Sequence, residues 1–163
     1  MYRRADNGDC RAVYDLICDM EAKQLPYEEF ERIFAGQVSD ENFYCIIRED
    51  PGKSEGAGDS ADTKVTAMMN LRFEYQLHHA ERICEIMEFV VAPDERNKGV
   101  GAEVIAYAKE LAKENGCTQI EVACNQLRKD THRFYEREGM HNFHYKFSKK
   151  LVGEDTASNE LGR

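Results

Sequence analysis

Residues 85 to 101, Glu85-Ile-Met-Glu-Phe-Val-Val-Ala-Pro-Asp-Glu-Arg-Asn-Lys-Gly-Val-Gly101, constrain the fold of this chain more than any other stretch. An apolar run that reads as a strand is interrupted at Pro93, and a stripe of Val104, Ile105, Ala108, Leu111 and Ala112 at helical spacing begins just past Gly101. Strand, glycine-bearing turn and helix therefore follow one another closely. Gly99 and Gly101 let a ligand approach the backbone where a helix exposes its unpaired N–H groups and the positive end of its dipole. Arg96 and Lys98 add positive charge beside them. The physics of the segment predicts a phosphate or pyrophosphate site, with a tight structural turn as the alternative.

The type of phosphate ligand is narrowed by spacing. A Walker loop needs G-x-x-x-x-G-K-[ST], which is absent here. A dinucleotide fingerprint needs a third glycine near 104, where Val104 stands, and its strand belongs near the start of a chain.

Around this segment the pattern predicts alternating elements. Tyr2 to Ala5 reads as a strand, and Asp9 as the cap of a helix from 9 to 22 that carries Val13, Leu16, Ile17 and Met20. Pro26 opens a second helix, which Gly36 ends. Strands follow at 42–48, 64–74 and 82–91, then the helix 99–115 with Gly116 as its C-cap. Residues 118–124 form a further strand, Asp130 caps a short helix that Gly139 ends, and His141 to Lys150 alternates weakly as a last strand. The order is β-α-α-β-β-β-α-β-α-β, a mixed α/β fold whose central sheet is mostly antiparallel and flanked by helices. Residues 1–152 are expected to form one domain, with a Gly-, Ser- and Asp-rich flexible loop at 50–63 and a polar tail at 153–163.

Composition removes several function classes. The net charge of −9 opposes nucleic acid or an anionic membrane as partner, though a local cluster of donors still admits a small anion. No apolar run is long enough to span a bilayer, and Arg3-Arg4 has no apolar region after it that would make a secretory signal. The six cysteines are scattered without a C-x-x-C pair, which predicts reduced thiols in a cytoplasmic protein.

The R-x-x-G-x-G of 96–101, after a Glu-containing strand and Ala92-Pro93, resembles the acetyl-CoA signature of the Gcn5-related N-acetyltransferase superfamily. Asp130-Thr-His-Arg-Phe-Tyr-Glu-Arg-Glu-Gly139 resembles the A-x-x-F-Y-x-x-x-G helix of the same family, with Thr131 in place of the usual Ala and Met140 where an aromatic usually follows. The element order matches as well, so the resemblance covers roughly residues 2 to 151. It implies acetyl-CoA as co-substrate. The backbone of Arg96, Asn97, Lys98, Gly99, Val100, Gly101 and Ala102 would hold the pyrophosphate. Phe89, Val90 and Val91 would pair the pantetheine, and an N–H of that strand would polarise the thioester carbonyl. Asn125 matches a pantetheine contact and Tyr135 the general acid that protonates the departing thiolate.

An alkylammonium must lose a proton before it attacks, so a base is needed. Glu85 matches the base position by its distance to R-x-x-G and is the first candidate. Glu88 is the second, because in a regular strand it points to the other face unless a bulge intervenes; water alone is the third.

Within the superfamily, Ala12 to Cys18, Gln76-Leu-His-His79, residues 85–91 and His132 to Gly139 resemble the aminoalkylphosphonate N-acetyltransferases, apart from the 50–63 loop, which is extra. That implies a small amine bearing a phosphonate, and a divalent metal is described for the group. Arg72, His78, His79, Arg82 and Arg133 are candidate phosphonate donors, and His78-His79 beside Glu81 a candidate metal site. Rival acceptors are an aminoglycoside, a polyamine or a peptide N-terminus; a rival class is a non-catalytic acyl-CoA sensor. Dimers are frequent in the fold, so a homodimer is an expected assembly.

Overall fold

The computed structural model describes residues 1–51 and 63–152. Residues 52–62 of the expected 50–63 loop, and the whole tail, lie outside the described residues. Two compact units are present, Met1–Ala123 and a second from Cys124 onward.

The first unit holds one five-stranded sheet, β1 (Tyr2–Arg4), β2 (Phe43–Pro51), β3 (Thr63–Gln76), β4 (Glu81–Val91) and β5 (Gln119–Val122), in that spatial order. Every neighbouring pair is antiparallel except β4 and β5, which run parallel. The parallel step is forced by the crossover helix α3 (Val100–Glu114) between them. Helices α1 (Cys10–Glu21) and α2 (Tyr27–Ser39) precede β2.

Pairing assigns the faces. Cys45 and Ile47 on β2, Met68 on β3 and Val90 on β4 share a buried cluster with Val13 and Leu16 of α1 and Phe34 of α2. The intervening residues Ile46, Met69 and Leu71 are fully buried on the opposite face, where α3 packs with Val104, Ile105 and Ala108. Both faces of the central strands are thus apolar, which explains the near-continuous run from Thr66 to Leu71. The start of the chain is tied in by Arg3, whose guanidinium donates to both oxygens of Asp9 at 2.7 Å and also meets Glu49.

Three local expectations change. Asp9 does not cap α1. Asp6 and Asp9 instead form a capping box around the single turn before the helix, and Asp9 is buried against Arg3. Gly36 does not end α2. The helix runs to Ser39, because Gln37 and Val38 still face the sheet and a glycine inside a helix weakens it without ending it.

The expected last strand at 141–150 is absent: no residue there is paired, and all are exposed. The second unit contains the helix α4 (Lys129–Arg137) and no strand among the described residues, so the alternation of Phe143, Tyr145 and Phe147 finds no ladder within that unit.

Candidate active site

The register between β3 and β4 slips by one residue. Arg72 lies opposite Glu85 and Leu71 opposite Ile86, but Asn70 lies opposite Glu88, leaving Met87 as an extra residue in β4. A β-bulge of this kind resets the alternation of the strand that carries it. Asn70 and Arg72 are two apart on β3 and share a face, so their partners Glu88 and Glu85 share it too. The two carboxylates, which a regular strand would separate, stand on the side of the sheet that α1 and α2 cover.

Their surroundings differ. Glu85 receives the Arg72 guanidinium at 2.6 Å, and the same guanidinium reaches Glu74 at 3.3 Å. Among the described residues no cation pairs with Glu88. Asn70 donates through Nδ2 at 2.9 Å to Glu88 Oε2 and at 2.9 Å to Gln37 Oε1 of α2. Burial pushes the Glu88 carboxyl above the ordinary carboxylate range, the Asn70 bond opposes that rise, and the nearby Glu85 charge adds to it.

Gln37, Asn70 and Glu88 form the polar end of a pocket of about 230 Å³ between the helices and the sheet. Otherwise the lining is apolar, with Val13, Ile17, Phe30, Phe34, Cys45 and Met68 prominent. An apolar cavity of about 150 Å³ suffices for benzene, so this pocket is large enough for the body of a small organic molecule. Apolar walls around a few convergent polar groups are the usual composition of a ligand site.

β5 pairs only along Ile83–Ile86, whereas β3 accompanies β4 as far as Val91. Phe89, Val90 and Val91 therefore lie beyond the end of β5. Arg96 Nε donates to the Val91 carbonyl at 3.1 Å, folding the following loop back on the strand. Asn97 (φ 61°) and Gly99 (φ 89°) take left-handed backbone, a conformation in which glycine alone is unstrained. The first bond of α3 runs from Glu103 N to Gly99 O at 3.2 Å. The N–H groups of Val100, Gly101 and Ala102 thus precede any intrahelical acceptor, as a phosphate cradle requires. Lys98 stands beside them, 3.0 Å from Glu95.

In the second unit, Asn125 is exposed and builds the turn before α4. Its Oδ1 accepts from Leu127 N at 2.9 Å, and its carbonyl oxygen accepts from Arg128 N at 3.0 Å and lies 2.9 Å from His132 Nε2. Tyr135 is the buried residue of α4, with its phenol pushed up to about 12 by burial and by Cys124, against a smaller lowering by Arg128. It therefore keeps its proton throughout the neutral range.

The candidate phosphonate donors are not brought together. Arg72 faces the α1–α2 side with Glu85. Arg82 pairs with Tyr75 and so points to the other face, where it donates to Asn115 O at 3.0 Å and covers the rings of Phe73 and Tyr75. His78 and His79 sit in the turn between β3 and β4 with ring centres 4.1 Å apart, and His79 is 3.9 Å from Glu121. Arg133 pairs with Asp130 on α4. Among the described residues no three His, Cys, Asp or Glu side chains gather as metal ligands, so His78-His79 with Glu81 does not fit a metal centre. Nor is any helix of the described residues long and apolar enough to cross a membrane.

Two residues of the site escaped sequence reasoning. Asn70 carried a signal, being the one amide in the buried run Thr66-Ala-Met-Met-Asn-Leu71, where a polar group needs a partner. Gln37 carried none, because its place follows from α2 continuing past Gly36.

Comparison with known proteins agrees with this arrangement. The family model for the acetyltransferase (GNAT) family matches residues 11–140. An aminoalkylphosphonate N-acetyltransferase from Salmonella typhimurium is 35% identical over 149 residues, which cover 91% of this chain and 90% of that protein. A thialysine N-epsilon-acetyltransferase from Bos taurus is 26% identical, with 89% of this chain and 91% of that protein covered. Among solved structures, a transcriptional regulator from Bacillus halodurans superposes with a TM-score of 0.77 at 22% identity, covering 93% of this chain and 99% of that one. The match over residues 11–140 and the 35% identical relative show that the chain belongs to the acetyltransferase (GNAT) family, whose members take their acetyl group from acetyl-CoA, and is an N-acetyltransferase.

Proposed function

We propose that the protein transfers the acetyl group of acetyl-CoA to the primary amine of a small molecule by direct attack in a ternary complex, with Glu88 as the base. The observation that carries this reading is the Met87 bulge, which turns Glu88 into the pocket beside Asn70, where no cation of the described residues pairs with it. A base must be ionised and unpaired, with an affinity for protons nearer to neutrality than a solvated carboxylate has. Glu88 meets that description, while Glu85 is held by Arg72. The order of the two candidates expected from spacing is therefore reversed in this proposal.

The chemistry balances as follows. The alkylammonium gives one proton to Glu88, which passes it to solvent. The freed lone pair forms the C–N bond, and collapse of the tetrahedral adduct breaks the C–S bond. Tyr135 protonates the thiolate, a role that its motif position implies and its retained proton suits, and it recovers the second proton lost by nitrogen. The loop from Arg96 to Ala102 holds the pyrophosphate, and pantetheine runs along Phe89–Val91, beyond the end of β5.

A second reading names the acceptor as an aminoalkylphosphonate. It is favoured by the Salmonella typhimurium relative and its 35% identity. The pocket lining offers the hydrocarbon part of such an amine a fit, with Glu88 its one charged residue, so the phosphonate would extend beyond that lining.

The test follows free thiol release from acetyl-CoA with pure protein and a panel of 2-aminoethylphosphonate, 2-phenylethylamine, a polyamine, an aminoglycoside and a peptide. Turnover with a small primary amine is expected, and preference for the phosphonate over its uncharged analogue supports the second reading. Binding of acetyl-CoA without turnover of any amine would overturn the proposal in favour of a sensor.

A further inference from the structure

The pocket between α1, α2 and the sheet has one polar end and an apolar remainder that stays partly open. Cys45, Asn70 and Glu88 stand abreast on β2, β3 and β4, with Met68 one step further along the same face. Asn70 donates to Gln37 and to Glu88 there. On α2 the rings of Phe30 and Phe34, both in the lining, are stacked with their centres 6.3 Å apart. Ile33 is 46% exposed, and Ile17, Leu25 and Phe30 are only half-buried, although all four line the same cavity. Single apolar residues on a surface are ordinary, but several that converge on one open cavity mark a place where something apolar binds.

We propose that the amine acetylated here carries an apolar body about the size of a phenyl ring, seated among Ile17, Phe30, Ile33, Phe34 and Met68 with its nitrogen at Glu88. The inference deepens the proposed function and rests on Glu88 acting as base. An ammonium group at the end of an apolar body matches the carboxylate and the walls of the pocket together. A cavity of about 150 Å³ admits benzene, so one of about 230 Å³ holds a phenyl ring and a short linker to the amine. Two stacked rings and a thioether sulfur favour an aryl group over an alkyl chain of the same volume.

The same walls discriminate against an anionic body. No Lys, Arg or His is among the described residues of the lining. A phosphonate placed there would give up its hydration with no cation to replace it, and would share the pocket with the Glu88 carboxylate. Arg72, on the same face of β3, is already held by Glu85 and Glu74.

The experiment measures kcat/KM with acetyl-CoA for 2-phenylethylamine, ethylamine and 2-aminoethylphosphonate, in wild type, Ile33→Asp, Ile17→Ala and Glu88→Gln. Wild type should favour 2-phenylethylamine over ethylamine by about tenfold to a hundredfold, mostly through KM, and should favour it over 2-aminoethylphosphonate as well. Ile33→Asp sets a charge on the rim at a position exposed enough to tolerate it. The ratio of 2-phenylethylamine to ethylamine should then fall about tenfold, with the KM for acetyl-CoA unchanged. Ile17→Ala trims the wall contributed by α1 and should lower the same ratio by a smaller factor. A ratio between two substrates does not depend on how much of a variant is folded, so loss of structure cannot imitate the effect. Turnover of ethylamine or 2-aminoethylphosphonate as efficient as that of 2-phenylethylamine would overturn the proposal, as would a ratio that both pocket variants leave unchanged. If Glu88→Gln keeps full turnover while the ranking of amines holds, the reading of Glu88 as base fails instead. No turnover with any of the three amines would overturn both.

Discussion

The two halves of β4 are built for different purposes. From Ile83 to Ile86 the strand is paired on both sides, Ile83 and Cys84 are fully buried, and the Glu85 carboxylate is neutralised by Arg72. Past Met87 the strand continues beside β3 beyond the end of β5, carries Glu88 into a pocket and runs into the loop of Arg96 to Gly101. One half makes the sheet and the other makes the site, with a single inserted residue between them. The contrast teaches that an acidic residue on a strand is defined less by its place in the sequence than by what the neighbouring strand sets opposite it.

The comparison is broken most strongly in its structural half. Ile83→Ala empties a fully buried position and should cost about 2–5 kcal/mol, read as a fall in Tm. At temperatures where it remains folded, its kcat/KM should stay within about twofold of wild type, because the site lies in the other half. A large loss of activity without loss of stability would erase the division.

A smaller effect with an informative sign is expected at Glu88. Its carboxyl is raised in the folded state, so the fold binds that proton more tightly than the unfolded chain does. The associated stability is present at pH values below the unfolded carboxylate range and is lost as pH rises through the folded value. Glu88→Gln removes the cost of ionising a half-buried group, so its Tm at pH 7 to 8 should equal or slightly exceed that of wild type. A variant that is less stable at that pH would mean that Glu88 is held by a favourable charge interaction. Thermal melts of both proteins at pH 5 and pH 8 decide the matter, with the advantage of the variant expected to shrink at the lower pH.

Much of this was legible from residues alone. The order of elements through β5 followed from hydrophobic patterning, and the glycine-bearing turn before α3 from Gly99 and Gly101 at the start of an amphipathic helix. Such features are local, so a linear reading reaches them. The Met87 bulge is not local: it exists only in the register between β3 and β4, and nothing in Glu85-Ile-Met-Glu88 announces it. The order of the candidate bases, which had Glu85 first, depended on that register. Residues 141–150 erred in the opposite direction. Phe143, Tyr145 and Phe147 alternate as a strand should, yet they are 79%, 77% and 93% exposed, because alternation supplies a face and not a partner.

The central claim is that Glu88, and not Glu85, accepts the proton of the amine. The most direct measurement is the pH dependence of kcat/KM for Glu88→Gln and Glu85→Gln, with acetyl-CoA and one accepted amine. Glu88→Gln should lose about 10²- to 10⁴-fold in kcat/KM and with it the acid limb of the profile. Glu85→Gln should keep that limb and stay within about threefold of wild type. Loss of the limb in Glu85→Gln together with its survival in Glu88→Gln would contradict the account and return the proton to the first carboxylate.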